Sequence, residues 1–314
     1  MDFYIKNKDF DRRARLVSSL LGFALFFTIS LSFASISFAY NIVILTSKSA
    51  APYDSFISEF KKVLPRSSIR ILDMGGNVKM GSVLMEKAAA NKADVVVALG
   101  PRAAWAAKNK HDIPVIFSML SDHKKLNLSS RTGIRSQFSL RQQLQTFKKI
   151  MPNVKKIGFL YSKASKDGLN GIEEIAQDVG LTIIKKEVLD IRNVAADLED
   201  LLADVEVLWL RKDKLITGNA RLLKQVVLLR ALRKKIPIIG GNKWAVQNGA
   251  LFCLFTSYQS IGAQAGEMVD RVISEGELGF QYPLSVNVFF NPHVAERLSP
   301  GVDIVVPRDA LFVK

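Results

Sequence analysis

The chain has 314 residues, with 44 Lys+Arg against 29 Asp+Glu and a single cysteine, Cys253. One cysteine excludes a disulfide framework, a Cys-based zinc ribbon and an iron–sulfur site. At 48% hydrophobic and 23% charged the composition is that of a folded chain rather than a disordered one, and the net charge of +15 by itself points to nucleic acid or an anionic membrane. The length suits roughly two domains of about 100–200 residues each.

The N-terminus reads as a targeting signal. Lys6, Lys8, Arg12, Arg13 and Arg15 precede an uncharged apolar run, and Ser37-Phe38-Ala39 supplies a small-x-small cleavage site before Tyr40. This order of parts is that of a secretory signal peptide over residues 1–39. The uncharged stretch from Leu16 to Ala39 is 24 residues long, and a bilayer needs roughly 20, so an uncleaved anchor in the inner membrane is the alternative. The small residues at the junction favour cleavage. In both cases residues 40–314 are expected in the periplasm, which argues against a nucleic-acid partner. The charge does not leave with the signal: residues 40–314 keep 39 Lys+Arg and 26 Asp+Glu, a net +13. Most of it falls in doublets such as Lys61-Lys62 and Lys234-Lys235, without interleaved aromatics, as on a solvated surface. Cys253 sits in the run Leu251–Phe255 and is expected to be a buried, inert thiol.

From Asn41 onward, short apolar runs alternate with segments of helical period. The runs are 42–45, 95–99, 115–117, 157–160, 207–210, 236–239 and 251–255; strands apolar on both faces belong to parallel sheets covered on both sides. Two weaker runs, 69–72 and 181–184, carry a polar residue at their second position, as edge strands do. Between them, Tyr53, Phe56, Ile57, Phe60, Val63 and Leu64 follow one helix face. The same spacing recurs over 140–151 behind Ser139 as N-cap, over 172–179, over 194–205 behind Asn193, and over 261–273. Strand–helix alternation across the chain predicts right-handed βαβ units. The pattern runs twice, from Asn41 to about Leu120 and again from Lys155. The expected fold is therefore α/β, with two doubly wound Rossmann-like lobes, parallel sheets and a cleft between the carboxyl ends of the strands, where open α/β folds bind ligands.

Motif searches are negative for enzymes. There is no G-x-S-x-G elbow, no G-x-G-x-x-G fingerprint and no metal-ligand histidine spacing. The segment Gly76–Ser82 has phosphate-loop glycine spacing but lacks the lysine. Glu173-Glu174 and Glu199-Asp200 fall on polar helix faces. What remains is polar loops at strand ends. Thr46, Ser47 and Ser49 follow the first strand; their hydroxyls suit a ligand, and Ser49 or Asp54 equally suits a helix cap. Gly100-Pro101-Arg102-Ala103 opens a helix whose free amides suit a ligand carboxylate, with Arg102 either adding an ion pair or facing solvent. Tyr161 and Ser162 follow the first strand of the second round. Asp213 is placed to face a ligand ammonium or to pair with its basic neighbours. Gly240-Gly241-Asn242 permits close backbone approach.

These loops, in this order, resemble the ABC-transporter substrate-binding proteins of the two-lobed periplasmic type I fold, in the branch with amino-acid-binding and aromatic-amino-acid-binding members. The resemblance runs from about Asn41 to Pro307. It is carried by ADVVVALGPRAA (93–104), IPVIFSMLSD (113–122), MPNVKKIGFLYS (151–162), IPIIGGNKWAVQNGAL (236–251), SIGAQAGEMVDRVISEG (260–276) and FNPHVAERL (290–298). It implies a hinge crossed three times, near 136–138, 254–258 and 280–284. Lobe one is then 40–137 plus 257–281, and lobe two 138–256 plus 282–314, with Ser285–Phe289 running along the hinge. It also implies a small-molecule ligand, a membrane ABC permease as partner, a monomer, no cofactor and no catalysis. Asp122 enters the site by its match to the family's Thr-Asp-Pro. Departures cluster at the binding loops: Gly100-Pro101-Arg102, Ser121-Asp122-His123, Tyr161-Ser162-Lys163 and Arg211-Lys212-Asp213 replace the family's residues there. The scaffold is thus better specified than the ligand.

The expected function is capture of a small polar solute, an amino acid among the options, for an ABC importer. A membrane-tethered sensory or accessory domain is the alternative. A repressor-like regulator would need a helix-turn-helix where the export segment stands, and an enzyme would need a nucleophile or cofactor motif.

Overall fold

The computed structural model describes residues 39–110, 112–298 and 301–313; the segment expected to be a signal peptide or anchor, 1–39, lies outside them, except for Ala39. Tyr40–Lys314 forms one compact unit. No helix among the described residues is long and apolar enough to cross a membrane.

Every apolar run read as a strand is one. Among the described residues the first sheet contains β1 (Asn41–Thr46), β2 (Ser68–Asp73), β3 (Val95–Leu99), β4 (Val115–Ser118), β5 (Gly133–Ile134) and β11 (Phe280–Gln281), in the order β11-β5-β4-β3-β1-β2. The second holds β6 (Lys156–Tyr161), β7 (Thr182–Glu187), β8 (Val207–Trp209), β9 (Ile238–Gly240), β10 (Phe252–Phe255), β12 (Asn287–Phe290) and β13 (Leu311–Phe312), in the order β13-β12-β10-β9-β8-β6-β7. The continuous apolar strands are central and wholly buried, as β3 is from Val95 to Leu99. The two weaker runs, β2 and β7, stand at edges, where one face of the strand meets water.

One pairing departs from the all-parallel expectation. β12 runs antiparallel to β10, with Cys253 opposite Phe289. The segment assigned to the hinge therefore enters the second sheet: Val288, Phe289 and Phe290 are all buried, so both strand faces carry apolar surface into the core. Chain tracing from sheet to sheet gives passages between β5 and β6, between β10 and β11, and between β11 and β12.

Helices cover both faces. Ala51–Val63 buries Phe56, Ile57 and Phe60 against the first sheet and packs on Tyr258–Glu267. Leu140–Ile150 starts at Ser139, whose hydroxyl accepts the Gln142 amide while the Gln142 side chain accepts the Ser139 amide, a complete capping box. Asn193 is not the side-chain cap expected of it; Asp190, three residues earlier, accepts the Arg192 amide and starts a short 3-10 turn that leads into Val194–Asp204. Helices at Met80–Ala90 and across Ala220–Leu222, Leu223–Leu228 and Leu229–Arg233 were not anticipated.

A half-buried clamp fastens the end of the first sheet. Glu277 accepts from Arg131 Nε at 2.5 Å, from the Thr132 amide at 2.6 Å and from the Thr132 hydroxyl at 2.8 Å. Arg131 in turn donates to the carbonyls of Lys108 and Lys110. One guanidinium thus ties β5, the loop before β4 and the segment leading into β11.

Candidate functional site

The residues expected to bind ligand fall into two groups at strand ends, and most are already engaged by the chain itself. In the first sheet, Ser47 is buried after β1. Its hydroxyl donates to Leu99 O at 2.9 Å and accepts the amides of Arg102 at 3.1 Å and Ala103 at 3.0 Å. The helix-start amides expected to be free for a ligand carboxylate are therefore satisfied from within, because the β1 and β3 ends lie side by side. Thr46 donates to Asp73 at 3.1 Å. Gly100 stands between them at φ +86°, and a Cβ there would fall on the Tyr53 hydroxyl and lie 2.8 Å from Ser47 Oγ, so only glycine fits. Ser49 is exposed and caps nothing; the helix begins behind Ala50, without a side-chain cap, so neither Ser49 nor Asp54 takes that role. Arg102 is exposed, its guanidinium passing Gly76. Asp122 accepts the Lys124 amide and so closes a local turn.

In the second sheet, Asp213 is 4% exposed. Its Oδ2 accepts the Ser162 amide at 2.8 Å, the Ser162 hydroxyl at 2.7 Å and the Ser165 hydroxyl at 2.6 Å. Its Oδ1 accepts the amides of Leu215 and Ile216. Asp213 pairs with no basic neighbour among the described residues; chain donors fill its acceptor positions instead. Burial alone would raise its carboxyl, but the bonds from Ser165, Ser162 and Ile216 outweigh burial and hold it below the usual carboxylate range. Ser162 is thereby consumed, and the Tyr161 hydroxyl lies 3.4 Å from Glu187. Asn242 caps the helix Lys243–Gln247 by accepting the Ala245 amide at 2.9 Å. No hydrogen bond or ion pair links the two groups among the described residues.

The space for a ligand opens beside them. A cavity of about 350 Å³ lies at the carboxyl ends of β8, β9 and β10, lined by Phe138, Phe147, Trp209, Arg211, Gly241 and Phe255 among others. Phe138 comes from the passage between the two sheets. A second hollow of about 340 Å³ adjoins it, sharing Arg211, Lys212 and Gly241 and reaching Asp213 and Asn242. Gly241 is needed for close approach: a Cβ there would lie 3.0 Å from Leu210 O.

Arg211, not among the expected site residues, is a ring-packed cation of this cavity beside Lys212. Its guanidinium carbon stands 4.5 Å from the Trp209 ring centre and 5.1 Å from that of Phe159. Its Nη2 donates to Gly168 O at 3.1 Å. Burial brings it down to about 10, so it stays charged at neutral pH. The sequence shows Arg211 only as one of a basic cluster; the signal that singles it out is Trp209 two positions earlier, at the end of a buried strand. A ring-lined floor with a guanidinium at its edge can hold an apolar body and an anionic head together.

Comparison with known proteins bears on the family and the fold. The family model described as ABC transporter substrate binding protein matches residues 73–305. The chain is 26% identical over 208 residues to a Clostridioides difficile protein named Tyrosine-binding protein, covering 62% of this chain and 59% of that one. The match thus spans less than two thirds of that relative's length. Among solved structures, the ligand-free, open structure of a substrate binding protein with adhesive properties from Clostridium difficile is similar over 88% of this chain and 99% of that one, at 21% identity and TM-score 0.67. An ABC domain in complex with L-Trp from Streptococcus pneumonia covers 87% of this chain and 100% of its own, at 22% identity and TM-score 0.46. The first of these two likenesses supports the fold.

Proposed function

This chain belongs to the ABC transporter substrate binding protein family, and on that premise we propose that it captures a small organic solute outside the cytoplasm, in the periplasm, and delivers it to an ABC permease in the membrane. The lobes assigned to this task are 40–137 plus 257–281 and 138–256 plus 282–314, closing about the three passages between the sheets.

The observation that carries the reading is the cavity at the ends of β8, β9 and β10. It is lined by both the second sheet and the passages at Ser136–Phe138 and Phe255-Thr256, so a solute seated there touches the segments about which the lobes would move. Its rings suit an apolar side chain. The curated relative's name makes aromatic amino acids the first compounds to try.

The test is a thermal-shift screen of the full-length protein against the common amino acids and small aromatic and aliphatic carboxylates. A ligand present at a hundred times its Kd stabilises a fold by about 2.7 kcal/mol, which moves a melting midpoint by several degrees. A binder that raises the midpoint, confirmed by calorimetry, supports the reading; a screen in which nothing does so for the folded protein removes it.

A further inference from the structure

We propose that the cavity takes an organic carboxylate that carries an apolar ring and lacks an ammonium group. This inference rests on the solute-capture reading and narrows its ligand class.

The argument begins with charge. Arg211 and Lys212 line both hollows, and Lys243 places its ammonium 3.9 Å over the ring of Phe255, at the cavity wall. No Asp or Glu lines the larger hollow among the described residues. Arg211 spends one donor on Gly168 O, and no carboxylate pairs with it among the described residues. A guanidinium offers five N–H donors in a planar fork that matches a carboxylate bidentately. It is also flanked by the rings of Trp209 and Phe159, which limit its freedom before a ligand docks.

The two hollows themselves offer no acid to receive an ammonium: among the described residues Asp213 is the one acid that lines either of them, and its oxygens are filled. Asp213, the one carboxylate reaching the adjoining hollow, accepts two bonds on Oδ1 and three on Oδ2. Glu187, within reach of the Tyr161 hydroxyl at 3.4 Å, does not line the hollows. On the first sheet, Asp73 and Asp122 take their chain donors on Oδ1, and neither lines the hollows. An amino acid seated on Trp209 and Phe147 would satisfy its carboxylate at Arg211. Its ammonium would then be desolvated beside Arg211 and Lys212 with no counter-charge, which is costly. The same ring acid without the ammonium keeps the favourable contacts and drops the penalty.

Three probes sharing one phenylethyl body separate these terms: 3-phenylpropanoate, L-phenylalanine and 2-phenylethylamine, each titrated into the full-length protein by calorimetry. The acid is expected to bind about tenfold or more tighter than the amino acid, the scale of one unpaired buried charge, and the amine not to bind. Arg211→Gln should weaken the acid about tenfold or more, and Arg211→Lys less, since charge persists without the fork; a melting curve of each variant confirms folding. L-phenylalanine binding as tightly as the acid, the acid failing to bind, or Arg211→Gln leaving the acid's affinity within about twofold overturns the assignment. In the first two cases solute capture stands if any amino acid binds; if no compound in the screen binds, the capture reading falls with it.

Discussion

The Oδ2 oxygen of Asp213 accepts the hydroxyl of Ser162 at 2.7 Å, across 51 positions of sequence. That bond joins the loop after β6 to the loop after β8, and the amides of Leu215 and Ile216 complete the carboxylate's shell. Asp213→Ala would orphan the Ser162 hydroxyl and three amides at a site with 4% exposure, leaving the Ser165 hydroxyl only the Ser162 carbonyl. It should cost ~3 kcal/mol, read as a lowered urea midpoint. A loss under ~1 kcal/mol would show that these donors find other partners.

The same carboxylate predicts a pH dependence. Its pKa is held down in the fold, so its contribution is fully present above the unfolded value of about 3.9 and is lost as pH falls through the lower folded value. Wild-type stability should decline from about pH 5 downward. In Asp213→Asn, which cannot titrate, that decline should be shallower. Parallel curves for the two proteins would assign the acid sensitivity to other groups.

Glu277 gives an independent stability test. Its carboxylate holds Arg131, which is 5% exposed, together with both donors of Thr132. Removing it by Glu277→Ala leaves a buried guanidinium with only backbone carbonyls. The Glu277 side chain is itself 40% exposed, so water recovers part of the loss. The expected cost is ~2 kcal/mol. Glu277→Gln, which keeps an acceptor, should cost less. Equal losses for the two variants would mean that the charge, rather than the acceptor, holds the clamp.

The fold was legible in the sequence because its strands are apolar on both faces. Val95–Leu99 and Ile157–Leu160 are too short for helices and are bounded by polar or turn residues, which selects strand, and the polar second positions of β2 and β7 marked the edges. The antiparallel entry of β12 was not legible, since Val288 to Phe290 reads the same in either direction. The site was legible as loops but not as partners. Ser47 and Ala103 are 56 positions apart, so nothing local says that the hydroxyl is spent on the helix start. Asp213 is different: its bonds to the amides two and three residues ahead are an Asx-type turn, which Asp213-Lys214-Leu215 could have signalled. Arg211 gains its meaning from Phe159, 52 positions earlier, which only the β6–β8 pairing brings near.

Gly100 offers a test of the first-sheet site. At φ +86°, with the Tyr53 hydroxyl where a Cβ would go, Gly100→Ala combines backbone strain with a clash and should cost ~2–4 kcal/mol. The two causes separate in the double variant Gly100→Ala with Tyr53→Phe. Deleting the hydroxyl removes the worst overlap and leaves the strain together with the close approach to Ser47 Oγ at 2.8 Å, so stability should return in part. Full recovery would show that the backbone tolerates alanine there.

Cys253 reports on the second core. It is fully buried on β10 opposite Phe289, and burial raises its thiol to about 12, with Lys243 pulling weakly the other way. A raised pKa means little thiolate at neutral pH, and thiolate is the reactive form. Burial also denies access to a reagent the size of Ellman's. The native protein should therefore resist labelling at pH 8 and react fully once unfolded in guanidinium. The native labelling rate should follow global opening of the second sheet, because β10 lies between β9 and β12. Asp213→Ala, which loosens the loops at one end of that sheet, should speed it. Rapid labelling of the folded wild type would mean that β12 leaves β10 without global unfolding, and the strand would then belong to the moving hinge after all.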